Sequence, residues 1–143
     1  MTIGLLALTV AAIFTGAAIY VNVAEQPARL LLDDHALLAE WKPSYKRGAA
    51  MQASLALVGC LFGLIAWWQT SQAGFLIGAI AMIAPWPWTL LGIKPTNDAL
   101  LATEPEKAGP PARALVVKWG ALHAVRTALG ALAIVAFLWA CMS

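Results

Sequence analysis

The chain has 143 residues, of which 62% are hydrophobic and 11% are charged, and its formal net charge is +2. A soluble domain of this length could not bury that much apolar surface, because small domains keep a large exposed fraction. The composition therefore indicates an integral membrane protein, and the nine Lys and Arg residues form no dense cluster that would indicate a nucleic-acid partner.

Four apolar segments are long enough to cross a bilayer, which takes about 20 residues. They cover residues 3–23, 49–68, 74–93 and 115–142. The first segment lacks the basic residues that open a signal peptide and is too long for one, so it is predicted to be a retained membrane helix. The predicted fold class is all-α: one domain, residues 1–143, built as a four-helix transmembrane bundle.

The connections between these segments predict the orientation of the bundle. Residues 24–47 mix charges with leucines at helical spacing, which predicts an interfacial helix that extends from the membrane or lies on it. The second connection is short and uncharged, and the third is rich in Pro and Gly. Lys and Arg concentrate in or beside the first and third connections, so the positive-inside rule places both in the cytoplasm. Both termini are then periplasmic, in a bacterial inner membrane.

Small residues predict close helix contacts. Gly59 with Gly63, and Gly74 with Gly78, form two small-xxx-small pairs. Packing inside the bundle is the more common explanation of such pairs, and a homo-oligomer contact is the alternative. The two cysteines lie in apolar runs and are predicted to be buried free thiols.

A polar side chain is costly in lipid, so each one in an apolar segment is expected to have a bonding partner or a function. The predicted first helix, continued past residue 23, carries a polar stripe toward its charged end, with Glu25 beside it: Thr15, Asn22, Gln26 and Arg29. The fourth carries a set that shares one face by i, i+3 and i, i+4 spacing: Trp119, His123 and Arg126. Further polar residues lie toward the same membrane face: Gln52, Thr89, Asn97 and Asp98. We therefore expect the first and fourth helices to meet around a polar pocket.

Within this pocket, Arg126 is expected to pair with Glu25 or Asp98. His123 is expected to bond Asn97 or Gln52. The alternative for Arg126 is that its side chain snorkels out to the membrane surface. Pro85 and Pro87 interrupt the third segment, which predicts either an opened helix with free carbonyls or a plain kink.

Four motifs occur in order: YVNVAEQPARL, WKPSYKRG followed by Gln52, PWTLLGIKPTNDAL, and KWGALHAVRTALG. Together they resemble the small four-helix membrane family that includes anthrone oxygenases, many bacterial members of which carry a domain-of-unknown-function label. The resemblance implies oxidation of a hydrophobic polycyclic substrate by O2 without an established organic cofactor. The positions that match the family pattern are Tyr20, Glu25, Pro27, Trp41, Tyr45, Gln52, Pro87, Thr89, Thr96, Asn97, Trp119, His123 and Arg126.

This resemblance suggests a role for each candidate residue. An anthrone has an acidic C–H, so His123 would be the base and Arg126 the partner of the resulting oxyanion. Asn97 and Gln52 would orient the reacting groups. The candidate substrate-binding residues are Tyr20, Asn22, Glu25, Trp41, Tyr45, Thr89 and Trp119. The expected partners are membrane lipid and a hydrophobic small molecule.

Two other functions fit the sequence. The first is a redox protein that binds a transition metal or haem through a mixed N/O site composed of His35, His123, Glu25 and Asp98. The second is a non-enzymatic small membrane subunit of a larger complex. As an alternative to substrate binding, Tyr20, Trp41 and Tyr45 lie near the predicted membrane ends and fit an aromatic belt.

Overall fold

The computed structural model describes residues 2–143, which fold into four long helices. Helix α1 spans Thr2–Arg29, α2 Asp34–Thr70, α3 Ala73–Ala102 and α4 Pro110–Met142, with a 3-10 turn at Pro105–Lys107. Each of the four is long and apolar enough to cross a membrane, and residues 2–143 contain no β-strand. The predicted all-α bundle of four potential membrane helices is confirmed.

Helix α2 is much longer than its apolar segment. It begins after Asp33, whose carboxylate accepts the Ala36 N–H at 2.8 Å, and it continues through Pro43 to Thr70. The amphipathic segment predicted between the first two spans is thus helical and continuous with the second. Ser71, with φ of 58°, ends the helix, and the short connection leads directly into α3.

Two of the four helices contain one π-helical turn each. In α1 the turn is Val21–Glu25, and in α3 it is Thr89–Ile93. A proline, Pro27 or Pro95, follows each turn by two residues. Proline has no N–H and its ring clashes with the carbonyl four residues earlier, so a wider turn before it relieves the clash.

The half of the bundle farther from the first and third connections is a tightly packed apolar core. A Cβ added at Gly78 would lie 2.3 Å from Phe137 Cε1, and one at Gly74 would lie 2.7 Å from the Ala136 carbonyl oxygen. Gly59 and Gly63 make similarly close contacts with side chains of this chain. These small-residue faces are filled within one bundle, and the homo-oligomer stays a prediction.

The other half of the bundle contains most of the buried polar side chains, together with a second apolar cluster that includes Trp41 and Val116. Here α1 and α4 still approach closely, because Gly120 leaves room for Gln26, whose Nε2 donates to the Val116 carbonyl at 2.8 Å. The predicted meeting of the first and fourth helices is therefore confirmed. The outer faces of all four helices carry exposed apolar side chains, such as Leu61 and Val135.

Candidate functional site

The polar half encloses a cavity of about 400 Å³ between all four helices. Nine of the candidate residues line it: Tyr20, Glu25, Tyr45, Gln52, Thr89, Asn97, Trp119, His123 and Arg126. The structure thus brings the four candidate catalytic residues to one cavity. Asn22 and Trp41 are not in its lining, but each contacts a residue that is.

His123 is held by Asn22 of the facing helix. Its Nδ1 lies 2.9 Å from Asn22 Oδ1, which also accepts the Thr127 hydroxyl at 3.0 Å. The Asn22 amide cannot be turned around, because its Nδ2 donates to the Gly120 carbonyl at 2.9 Å. Since Oδ1 only accepts, the hydrogen of a neutral His123 ring must sit on Nδ1. Nε2, which has no hydrogen-bond partner in residues 2–143, is then the free acceptor.

Arg126 is the second buried group, with 9% of its surface exposed. Its Nη2 donates to the Thr89 hydroxyl at 2.6 Å, and Thr89 in turn donates to the Pro85 carbonyl at 2.7 Å. That carbonyl also accepts the Thr89 backbone N–H, so the side chain of Thr89 adds a second bond to the ordinary helical one. Among the described residues no carboxylate lies within 4 Å of this guanidinium. Arg126 is therefore a buried cation without a counter-ion among residues 2–143, and it does not snorkel to the surface.

Arg29 forms a separate charged cluster beside the cavity. Its Nη2 contacts the Glu25 carboxylate, and its Nε lies 3.0 Å from Glu40 Oε2. Ser44 accepts from Arg29 at 3.0 Å and donates to Glu25. The cluster thus joins α1 to α2 and keeps the Glu25 carboxylate at the edge of the cavity.

Tyr45 and Trp119 contribute aromatic rings to the lining of the cavity, and the buried Trp41 packs behind them. Trp41 and Tyr45 are stacked with centroids 4.9 Å apart and an interplanar angle of 4°. Trp41 meets Trp119 edge-on at 5.8 Å, and Trp119 lies 5.0 Å from the His123 ring. Such rings offer flat apolar surface to a flat ligand.

Gln52 and Asn97 contribute polar groups on α2 and α3. Gln52 Nε2 donates to the Phe14 carbonyl at 3.0 Å, and Asn97 Nδ2 donates to the Tyr45 hydroxyl at 3.2 Å. Both side chains are buried, and in each the amide oxygen has no partner within residues 2–143. They brace neighbouring helices while keeping acceptor capacity next to the cavity.

Both pairings expected from the sequence are wrong. His123 contacts Asn22 rather than Asn97 or Gln52, and Arg126 contacts Thr89 rather than a carboxylate. Asp98 is exposed and pairs with Lys94 at 2.5 Å outside the cavity. The reason is the relative rotation of the helices, which turns the polar stripe of α1 onto α4.

The possible metal set does not form one cluster. His35 is exposed, with Nε2 3.9 Å from Glu106 Oε1, while Asp98 pairs with Lys94. His123 and Glu25 both reach the cavity but have other partners. Over residues 2–143, no three His, Cys, Asp or Glu side chains are placed to hold a metal ion together.

Sequence reasoning missed several residues of the site. Thr127 was not singled out, although it lies one turn after His123 and carries a hydroxyl. Ser44, Arg47 and Gly48 line the cavity from α2 and were also missed. Only their position in the amphipathic part of α2 that precedes Gln52 could have indicated that Ser44, Arg47 and Gly48 belong to the site.

Comparison with known proteins identifies the family to which this chain belongs. The sequence profile of the anthrone oxygenase family matches residues 41–136 of this chain. The chain belongs to the anthrone oxygenase family. The match covers the parts of the cavity on α2, α3 and α4, including His123 and Arg126, whereas Tyr20, Asn22 and Glu25 of α1 lie before it.

A curated member of this family is similar to the chain. Anthrone oxygenase tpcL of Aspergillus fumigatus is 34% identical over 99 residues, which cover 64% of this chain and 62% of that protein. The chain thus matches less than two thirds of the length of this anthrone oxygenase. No solved structure matches the chain.

Proposed function

We propose that this chain is a membrane-embedded oxygenase that oxidises a hydrophobic aromatic substrate of the anthrone or quinol type with O2. The observation that carries the proposal is the buried Arg126, which has no carboxylate partner in the described part of the chain and shares a cavity with His123. An uncompensated buried cation is costly and is useful where negative charge develops during a reaction. Family membership and the name of the fungal relative support the same chemistry.

The first step is proton abstraction by His123. Asn22 and Thr127 support the tautomer with hydrogen on Nδ1, so Nε2 can accept a proton from an acidic C–H of the substrate. The electron pair of the broken bond delocalises over the rings onto the substrate oxygen. Arg126, held by Thr89, stabilises this oxyanion, and spacing of i, i+3 puts it on the same helix face as His123.

In the second step O2 oxidises the carbanion. A C–O bond forms at the deprotonated carbon, O2 is reduced to the peroxide level, and His123 returns its proton to give a hydroperoxide. Loss of the second hydrogen from that carbon then breaks the O–O bond and releases water, leaving a ketone. The substrate CH2 and O2 become C=O and H2O, so the substrate provides all the electrons and we propose that no metal or organic cofactor takes part.

We also propose that the four helices are inserted in a membrane. The four helices are long and apolar enough to cross a bilayer, and the exposed apolar side chains on their outer faces support insertion. The Lys and Arg residues at the end of the bundle that contains the cavity support a cytoplasmic position for the first and third connections. A hydrophobic substrate would then dissolve in the same membrane as the protein.

The test is O2 consumption by the purified protein in lipid nanodiscs, measured with anthrone over the spontaneous rate. The control substrate is 10,10-dimethylanthrone, which has the same rings but lacks the acidic C–H. We expect turnover of anthrone alone, and its loss in His123→Gln. Wild-type protein without turnover of any hydroxy-aromatic or anthrone substrate would favour the non-enzymatic subunit.

Metal analysis and a visible absorption spectrum of the same sample test the cofactor statement. We expect activity that does not change with metal content and no haem absorption band. Activity that rises in proportion to a bound metal, or to a haem band, would replace the proposal with the redox-protein alternative.

A further inference from the structure

One side of the cavity differs from the other three. Hydrogen bonds across the helix pairs join the other sides at the level of the cavity: Asn22 to Gly120 for α1 and α4, Trp88 to Leu122 for α3 and α4, and Asn97 to Tyr45 for α2 and α3. The side between α1 and α2 also has two such bonds, but it carries all three of the lining residues that are exposed: Tyr20, Arg47 and Met51.

Two hydrogen bonds made by lining residues join α1 and α2 at the two ends of this side. At one end Gln52 donates to the Phe14 carbonyl at 3.0 Å, and at the other Ser44 donates to Glu25. Between these two contacts the helices leave a lateral opening. We define this opening by Tyr20 on α1 and by Gly48 and Met51 on α2.

The residues of the lateral opening belong both to the cavity and to the outer surface. Tyr20 and Met51 line the cavity and are 62% and 47% exposed. Gly48 also lines the cavity, and a Cβ added there would meet no atom within 4 Å. The space at Gly48 is therefore open, and the cavity continues through it to the outside of the bundle.

The position and charge of the lateral opening indicate what passes through it. It lies where the apolar segments 3–23 and 49–68 end, which is the level of the membrane interface. Arg47, which is exposed and lines the cavity, adds a positive charge at the opening, and Arg126 adds a second one inside. The rings of Tyr45 and Trp119, with Trp41 packed behind them, offer flat apolar surface inside the cavity.

We propose that the substrate passes sideways from the membrane interface through the lateral opening between α1 and α2, and that it is a flat aromatic molecule with an ionisable hydroxyl group. The rings of such a molecule partition into the membrane, while its oxygen stays at the interface and meets Arg47 first and Arg126 second. This inference rests on the proposed function for the membrane and the substrate class, and it adds the route.

The first experiment fills the lateral opening. Gly48→Phe places a ring where no atom lies within 4 Å, and Gly16→Phe is the matched control, because Gly16 also has no atom within 4 Å and lies outside the cavity. The probe is 1,8-dihydroxyanthraquinone, added to protein in lipid nanodiscs, and its association rate is followed by quenching of tryptophan fluorescence. We expect Gly48→Phe to slow association at least about tenfold and Gly16→Phe to leave it unchanged.

A second variant avoids any effect on folding. Gly48→Cys is prepared with Cys60→Ala and Cys141→Ala, folded, and then modified with pyrenyl maleimide, so that the same folded protein is measured before and after blocking. Gly16→Cys in the same background is the control. Association that is equally fast before and after modification at residue 48 would overturn the lateral route.

These binding experiments are separable from turnover. Probe binding that is slowed by Gly48→Phe, in a protein that never consumes O2, would support the lateral route and refute the oxygenase. Normal O2 consumption in both blocked forms would leave the oxygenase standing and refute the route. If the wild-type protein does not bind the probe at all, the proposed substrate class is refuted, and the inference with it.

Discussion

Two arginines are buried in the polar half of the bundle, and they differ in the charge around them. Arg29, 3% exposed, contacts the carboxylates of Glu25 and Glu40 and lies over the Trp119 ring with Cζ 5.6 Å from its centroid. Arg126 contacts one hydroxyl, that of Thr89. Burying an ion costs several kcal/mol unless a partner offsets it. Arg29 is thus a structural link between α1 and α2, whereas Arg126 keeps its charge available to whatever occupies the cavity.

Because the two arginines have different surroundings, we expect stability to depend mainly on Arg29 and activity mainly on Arg126. Removing a paired cation leaves carboxylates that repel each other, so the fold should suffer most at Arg29. Removing an unpaired cation takes away an unfavourable burial, so the fold should tolerate it and the reaction should not. Glu25 belongs both to the Arg29 cluster and to the cavity, since it pairs with Arg29 and lines the cavity.

The largest expected effect is that of Arg126→Gln on turnover. Loss of the oxyanion partner should lower kcat/KM about 100-fold to 1,000-fold, or about 3 to 4 kcal/mol in the barrier. The thermal midpoint in nanodiscs should change by less than about 3 °C, because no ion pair is lost. O2 consumption with anthrone and thermal unfolding of the same samples check both parts. A parallel fall of activity and midpoint would make Arg126 a structural residue.

The second effect is that of Arg29→Leu on stability. The free energy of unfolding should fall by about 2 to 3 kcal/mol, below the range for a fully buried pair because Glu25 and Glu40 are partly exposed. Unfolding by sodium dodecyl sulfate titration measures it. Adding Glu25→Gln and Glu40→Gln should recover part of the loss. The control is Lys94→Leu, which removes an exposed pair and should cost less than about 1 kcal/mol.

The third prediction tests whether the hydrogen bonds of Asn22 orient the His123 ring, which lies on the same helix face as the unpaired Arg126. Thr127→Val removes the hydroxyl that donates to Asn22 Oδ1, and kcat should fall about tenfold with KM unchanged, as for other orienting partners. Thr127→Ser should restore kcat, because it keeps the hydroxyl. A change in KM instead, or failure of serine to rescue, would show that Thr127 acts through packing alone.

The smallest effect is expected for Glu40→Gln, which leaves Arg29 with one carboxylate partner. Glu40 is partly exposed, so the free energy of unfolding should fall by less than about 1 kcal/mol. Turnover should be unchanged, because Glu40 does not line the cavity. A larger loss of turnover than of stability would extend the functional site to the Arg29 cluster and break the division between the two arginines.

From the sequence, the helices could be predicted, and so could the membrane face toward which the polar residues lie. The hydrogen-bond partners of these residues could not. Apolar runs of about 20 residues define potential spans, and the i, i+3 spacing puts His123 and Arg126 on one face whatever the fold. Which helix that face meets depends on rotation about the helix axes. That rotation is set by close contacts such as Gly120 against Gln26 and Gly130 against Thr15. No periodicity in one segment encodes such a contact.

The missed residues have the same physical origin. Thr127 is an ordinary helical threonine until Asn22 of another helix lies 3.0 Å from its hydroxyl. Ser44 gains its role only because Glu25 and Arg29 face it. The family pattern did include Tyr45, Gln52 and Asn97, which the structure also finds at the cavity, while the functional roles assigned to them stay predictions.

The π turns in α1 and α3 have a consequence for how such a cavity arises. A π turn is an α-helix with one residue inserted, and each additional residue rotates everything beyond it by about 100°. Deleting one residue from Val21–Glu25 would turn Gln26 and Arg29 away from α4 and α2, and a deletion in Thr89–Ile93 would do the same to Asn97. Loss of one codon at each turn is thus enough to part Gln26, Arg29 and Asn97 from their partners, while His123 and Arg126 on α4 would keep their places.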